Sequence, residues 1–198
     1  MNESEAREEF HGFMRELESE PEHVLHVAKL ALQLFDELYE LHRLSADDRL
    51  ILEAAACLHD IGWAVSPGGR EHHKASARLI RERPWRSFDA NSVAVLAQVA
   101  RYHRHSLPDS KHKEFQRLRV DDRNRVERLA ALLRIADGLD RRHRQYVLEV
   151  KSTVEPGKIM VHLITCEFAD CEIQAAKKKS DLARTVFGRE FVFTAELR

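Results

Sequence analysis

Between Glu22 and His42 the apolar positions Val27, Leu30, Ala31, Leu34, Leu38 and Leu41 recur at three- and four-residue steps. That spacing keeps one face of an α-helix apolar, so the stretch predicts a long helix against a core. A weaker version of the same period runs through Phe10, Phe13, Met14 and Leu17 in the polar, acidic opening residues. "SADDRLILEAAACLHDIG" predicts a helix from an N-cap at Ser45, with acidic residues in its first turn, to a stop at Gly62. "SPGG" (66–69) predicts a loop. Helices follow over about 72–83, ended by Pro84, and about 89–104. "RHSLPDSKHKEFQRLRV" is irregular and basic, and a long amphipathic helix starts near Asp121.

From Tyr146 the period changes. "YVLEVKST" and "KIMVHLIT" read as strands, with a Pro-Gly turn in "VEPGK" between them. "DCEIQAAKKKSDLARTVFG" predicts one helix ending at Gly188, and "EFVFTAEL" a last strand. The expected fold class is therefore mainly α: a helical domain over residues 1–144, followed by a small C-terminal α+β subdomain of ββαβ order over 145–198. A length of 198 residues suits one domain with a small appendage.

Composition narrows the function classes. The chain is 43% hydrophobic and 33% charged, as expected of a soluble globular protein with a real core. A net charge of −1 supplies no field toward nucleic acid or an anionic membrane, so DNA binding is not expected. No apolar run approaches the ~20 residues of a membrane span, and the acidic start "MNESEAREEF" does not read as a signal peptide. Three cysteines, Cys57, Cys166 and Cys171, read as reduced thiols and point to the cytoplasm. The count that changes the picture is histidine, at 12.

Several of those histidines fall on the apolar stripes. His23 shares a helical face with Val27, Leu30 and Leu34, whereas His26 lines up with Lys29, Gln33 and Glu37 on a wetter face. His59 follows Ile51, Ala55 and Ala56; His103 follows Val95, Leu96 and Val99; Asp137 follows Val126, Ala130 and Leu133. A carboxylate such as Asp60 or Asp137 buried without a partner costs several kcal/mol as a rough figure. One shared cation removes that cost at several positions together. Any one of these histidines, taken alone, reads as an ordinary hydrogen-bonded core residue; the ordered set does not.

"HVLHVAKLALQLFDEL", "LEAAACLHDIGW", "HHKASARLI", "ARYHRHSLP" and "LLRIADGLDR" resemble the successive motifs of the HD superfamily of metal-dependent phosphohydrolases. More closely, the set resembles the C-terminal, HD-type region of the exopolyphosphatase and guanosine-pentaphosphate phosphatase (Ppx/GppA) family, over nearly the whole chain. The resemblance implies His23, His59, Asp60 and Asp137 as metal ligands, with Asp60 also the catalytic group that orients the nucleophile. A second ion would take His103 and a histidine of "HHKASA". Periodicity leaves His72 and His73 open; the superfamily spacing to Ser76-Ala77 favours His72, with His73 the alternative. The implied cofactor is one or two divalent ions, Mn, Fe, Ni, Co or Zn, with Mg in reserve. Full-length relatives of that family carry an N-terminal pair of actin-like catalytic domains for which this length leaves no room. The chain is therefore expected to act through the HD site or not at all.

A phosphate needs cations. Between Arg101 and Arg119 six Lys or Arg residues face two acidic ones. Arg101, Arg104, Lys74 beside the histidine pair, and Arg141 one turn beyond Asp137 are the candidate phosphate contacts. His105 and His112 line the same loop. Trp63, Trp85, Phe10, Phe13 and Phe35 read as packing, Cys166 and Cys171 as two semi-buried thiols, and Lys177–Lys179 as a solvated helix face. The expected function is hydrolysis of a phosphorylated small molecule, a nucleotide or polyphosphate. The alternative is a non-catalytic regulatory module that binds polyphosphate or a guanosine nucleotide, and a third reading is a dimerisation domain. The apolar C-terminal strands offer an edge for pairing into a homodimer.

Overall fold

The computed structural model describes residues 2–66 and 68–198. Helix α1 (Glu3–Leu17) leads into α2 (Pro21–Glu37), a one-turn α3 (Tyr39–His42) and α4 (Ala46–Leu58). A 3-10 turn (Ile61–Val65) connects α4 to α5 (His72–Glu82), then α6 (Ala90–Arg101), a one-turn α7 (Lys113–Gln116) and α8 (Val120–Gly138). The C-terminal part runs β1 (Val147–Glu155), β2 (Lys158–Thr165), α9 (Asp170–Lys179), α10 (Asp181–Phe187) and β3 (Glu190–Leu197). The chain is mainly helical with a small three-stranded C-terminal sheet, as expected, but the ending runs ββααβ rather than ββαβ. No helix among the described residues is long and apolar enough to cross a membrane.

Helix α4 is the hub. Ser45 caps it as the sequence predicts, in a capping box with Asp48, whose carboxylate returns to the Ser45 backbone N–H. Its run Ala54–Leu58 is fully buried, and α1, α2, α6 and α8 all pack on it. Four consecutive small side chains, Ala54–Cys57, let these neighbours come close on every side.

Helix boundaries depart from the sequence reading where polar groups intervene. Helix α4 stops at Leu58, not at Gly62, because the His59 ring takes the Ala56 carbonyl and the chain tightens into the 3-10 turn. The stretch expected as one helix to His42 breaks at Leu38 into α2 and α3. The helix expected over 170–188 is two, parted at Ser180, whose hydroxyl donates back to the Lys177 carbonyl. The "irregular" basic stretch holds the short α7. The expected loop at 66–69 includes Pro67, which lies outside the described residues.

The sheet order is β1-β2-β3, with β1 and β2 antiparallel and β2 and β3 parallel. The hairpin turns on Pro156-Gly157, between the paired Glu155 and Lys158; Gly157 has φ +78°, where a side chain would be strained. The outer edge of β1 is covered by α2. Gln33 accepts from the Val150 N–H at 3.0 Å, Glu37 accepts from Ser152 at 2.9 Å, and Lys29 donates to the Leu148 carbonyl at 2.9 Å. Strand β3 forms the other edge, with Val192 and Leu197 exposed. Helices α9 and α10 lie against α8. Arg134, buried on α8, grips Asp181 of α10 through two nitrogens and donates to the Tyr102 carbonyl at the end of α6.

Candidate metal centre

Five helices meet at one polar point in this apolar interior. His23 comes from α2, His59 and Asp60 from the end of α4, His72 from the start of α5, His103 from just beyond α6, and Asp137 from α8. The four histidines are buried, and the two aspartates are nearly so. His72 Nε2 lies 3.1 Å and His103 Nε2 3.4 Å from Asp60 Oδ1. His59 Nε2 is 3.7 Å from Asp60 Oδ2, and His23 Nε2 is 3.8 Å from Asp137 Oδ1. Three overlapping groups, His23-His59-Asp60, His59-His103-Asp137 and Asp60-His72-His103, each bring their ligand atoms within 4.8 Å of one another and are able to hold a metal ion.

A single local device orients three of the rings. Nδ1 of His59 donates to the Ala56 carbonyl at 2.7 Å, Nδ1 of His72 to Gly69 at 2.6 Å, and Nδ1 of His103 to Ala100 at 2.7 Å. Each acceptor lies three residues earlier; for His59 and His103 it is a carbonyl in the last turn of a helix. A carbonyl only accepts, so Nδ1 carries the proton and Nε2 keeps its lone pair. His23 does the same with a side chain: its Nδ1 is 2.9 Å from Asp140 Oδ2, and Asp140 is itself fixed by the backbone N–H groups of Arg144 and Gln145. All four Nε2 lone pairs therefore point into one space.

Of the four Nε2 atoms only that of His72 has a donor among the described residues, Arg104 Nη1 at 3.3 Å. The Nε2 atoms of His23 and His59 and the Oδ1 of Asp60 are buried without a hydrogen-bond partner among the described residues, a costly state. His72 and His103 Nε2 face each other at 3.4 Å with neither able to donate. For Asp60, burial resists ionisation, yet the imidazoles of His59, His72 and His103 around it hold its carboxyl well below the usual carboxylate range. Burial drives His103 well below the ordinary histidine range. An ion held at about 2.1 Å from each donor spaces cis donors roughly 3 Å apart and trans donors about 4 Å apart, and the contacts of 3.1–3.8 Å fall in that range. Nitrogen donors with two carboxylates suit a divalent transition ion.

The family model for the Ppx/GppA phosphatase, domain III, matches residues 8–175. The chain belongs to this family. It is thereby related to polyphosphate and nucleotide phosphatases. No curated protein matches the chain.

In this Ppx/GppA domain III chain, the six residues singled out as ligands stand together. Of the histidine pair, His72 faces the centre, whereas the His73 ring lies beside exposed His105, with centroids 5.2 Å apart. Burial, then His105, takes His73 down to about 4. Of the four cations expected to meet phosphate, Arg104 is at the centre, its Nη1 3.3 Å from His72 Nε2. Arg101 lies over the Tyr102 ring, Lys74 pairs with Glu71 on the surface, and Arg141 is exposed. Trp85 packs on Phe13 and Phe88, whereas Trp63 stands half-exposed and stacks on the His72 ring at 4.5 Å.

Three neighbours of the centre escaped the sequence reading, and a fourth, Lys179, expected on a solvated helix face, turns inward instead. Asp140 orients His23; its place three residues after Asp137 was the one sequence signal for it. His143 stacks on His23, with rings 3.7 Å apart and 7° from parallel. Glu18, at the end of α1, keeps Oε2 buried and without a partner among the described residues; burial, reinforced by the Asp60 charge, raises its carboxyl. Lys179, the last residue of α9, pairs with Asp137. Burial opposes ionisation of Asp137, and the Lys179 ammonium overrides it, so this carboxyl sits far below the usual range.

Proposed function

We propose that the six residues bind one or two divalent metal ions and that the chain is an HD-type metal-dependent phosphohydrolase acting on a phosphorylated small molecule, a nucleotide or polyphosphate. The observation that carries this reading is the shared orientation of the four imidazoles, each with Nδ1 engaged and Nε2 turned inward. That arrangement is how proteins prepare histidines as ligands. His23, His59, Asp60, His72, His103 and Asp137 would hold the ions. A bound divalent ion supplies Lewis acidity and makes water a usable nucleophile at neutral pH.

The chain's own side chains supply the rest. Asp60, with one oxygen toward His59 and the other toward His72 and His103, orients the attacking water by accepting its hydrogen bond. Arg104 meets a phosphate oxygen and offsets charge as it develops. Trp63 covers the outer face of His72 and keeps bulk water from it. Residues 145–198 act in this reading as a subdomain that walls one side of the site. The free thiols, Cys57 buried and Cys166 and Cys171 exposed, suit a reducing cytoplasm.

The test is metal content by mass spectrometry on protein purified without added metal or chelator, in parallel with Asp60→Ala, followed by hydrolysis assays on nucleotides and polyphosphate. The expected result is one or two equivalents of transition metal, lost in the variant, and turnover that stops with chelation. Absence of metal from the wild type, with no turnover on metal addition, would sink the reading. Metal without turnover would shift it to a non-catalytic module that binds the same ligands.

A further inference from the structure

Helix α9 brings a cation to the centre from the far end of the sequence. Lys177 and Lys178 are exposed, but the neighbouring Lys179 turns inward, its side chain 20% exposed and paired with Asp137. The packing that delivers it rests on one glycine. A Cβ on Gly138 would stand 2.8 Å from both the Cα and the backbone nitrogen of Ala176. Only a residue without a side chain lets α9 seat on the end of α8. That seat places Lys179, one turn beyond Ala176, over Asp137, the residue before the glycine.

One chain of contacts links Lys179 to Arg104 through the ligand set: Lys179 pairs with Asp137, His103 belongs to the same group as Asp137, His72 lies 3.4 Å from His103, and Arg104 lies 3.3 Å from His72. A lysine is poorly spent as a permanent partner of a metal ligand. Once Asp137 shares its charge with a divalent ion, like-charge repulsion turns the ammonium away from the ion, and a flexible four-carbon stem lets it move. What then suits it is an anion bound to the same ion.

We propose that Lys179 is a substrate-binding residue that takes a phosphate oxygen opposite Arg104, so that the site is complete only with the C-terminal subdomain in place. This rests on the metal-centre reading above and adds a residue to it. With the ion bound, Lys179 exchanges Asp137 for the phosphate, and the two cations hold the anion from both ends.

The experiment is calorimetric titration of inorganic phosphate into the metal-loaded chain, for the wild type, Lys179→Gln, Lys179→Arg and Gly138→Ala, with metal stoichiometry measured on each. A charge-assisted hydrogen bond corresponds to roughly ten- to hundredfold in affinity. Lys179→Gln should therefore keep its metal and bind phosphate that much more weakly. Lys179→Arg should recover most of the loss, and Gly138→Ala, which shifts α9, should resemble Lys179→Gln. Equal phosphate affinity in the wild type and Lys179→Gln overturns the role of Lys179 and leaves the metal centre standing. Loss of metal from Lys179→Gln also overturns it, since the lysine would then be a structural partner of Asp137. A wild type that takes up no metal overturns both readings together.

Discussion

Ser76 ties together the two segments that carry His59-Asp60 and His72, and its removal is a quantitative test of how the centre is held. Its hydroxyl, fully buried on α5, donates to the His59 carbonyl at 2.6 Å and accepts from the Gly62 N–H at 2.9 Å. Ser76→Ala deletes one oxygen and strands two buried backbone groups. Each stranded group costs about 1–3 kcal/mol, giving about 2–6 kcal/mol in all. For a chain of this size each kcal/mol lowers the midpoint by about 2–4 °C, so thermal unfolding should fall by roughly 4–24 °C. The measurement is circular dichroism on heating, with chelator present so that metal binding does not mask the loss. Gly62→Ala strikes the same seam, since its Cβ would come 2.1 Å from the His72 carbonyl oxygen and 2.5 Å from the Ser76 nitrogen. The double variant should therefore lose less than the sum of the two. A midpoint for Ser76→Ala within about 2 °C of the wild type would refute the claim that this hydroxyl holds His59-Asp60 against α5.

Asp140→Ala removes the acceptor that fixes the His23 tautomer and should weaken metal binding about 10- to 100-fold in a chelator competition; unchanged affinity would contradict the proposed role of His23. Arg125 joins two buried carboxylates, Asp48 at 2.6 Å and Asp122 at 2.8 Å, so Arg125→Ala should cost about 3 kcal/mol in urea unfolding, and a loss below about 0.5 kcal/mol would count against a buried network there. His42 donates from Nε2 to the Phe35 carbonyl and accepts at Nδ1 from Leu44, and burial holds it below the ordinary histidine range. The unfolded state takes up that proton first, near pH 6.5, so the stabilisation is complete above that pH and drains away as the pH falls. The midpoint difference between the wild type and His42→Gln should shrink from pH 7.5 to pH 5; a constant difference would show that His42 does not titrate with unfolding.

Helical periodicity located the long elements because each packs one apolar face on α4, and it failed where breaks leave that period intact. Leu38 and Leu41 continue the stripe of α2 through the break into α3, so the pattern shows no boundary. Ser180 parts α9 from α10 through its bond to Lys177, an event that apolar spacing does not record. The C-terminal unit was readable for a different reason. Its turn needs Gly157 at positive φ after Pro156, and β2 alternates buried with less buried positions along its length.

At the centre, legibility follows how far away the orienting group lies. His59, His72 and His103 are each aimed by a carbonyl three residues earlier, so their directions are written into the local chain. His72, not His73, turns toward the cluster, and the bond to Gly69 that orients its ring is not encoded in helical period. His23 is aimed from 117 residues away by Asp140, and Lys179 reaches Asp137 across 42 residues. Both depend on α8 as a common support: Asp137 is on it, Gly138 ends it and seats α9, and Asp140 lies two residues past its end. The end of α8 thus places Asp137 and Asp140, a proposed ligand and the partner of another, and the seat of the C-terminal helix within four residues. Perturbations there should couple metal binding, His23 orientation and subdomain docking, whereas changes at Ala56, Gly69 or Ala100 should disturb one imidazole each.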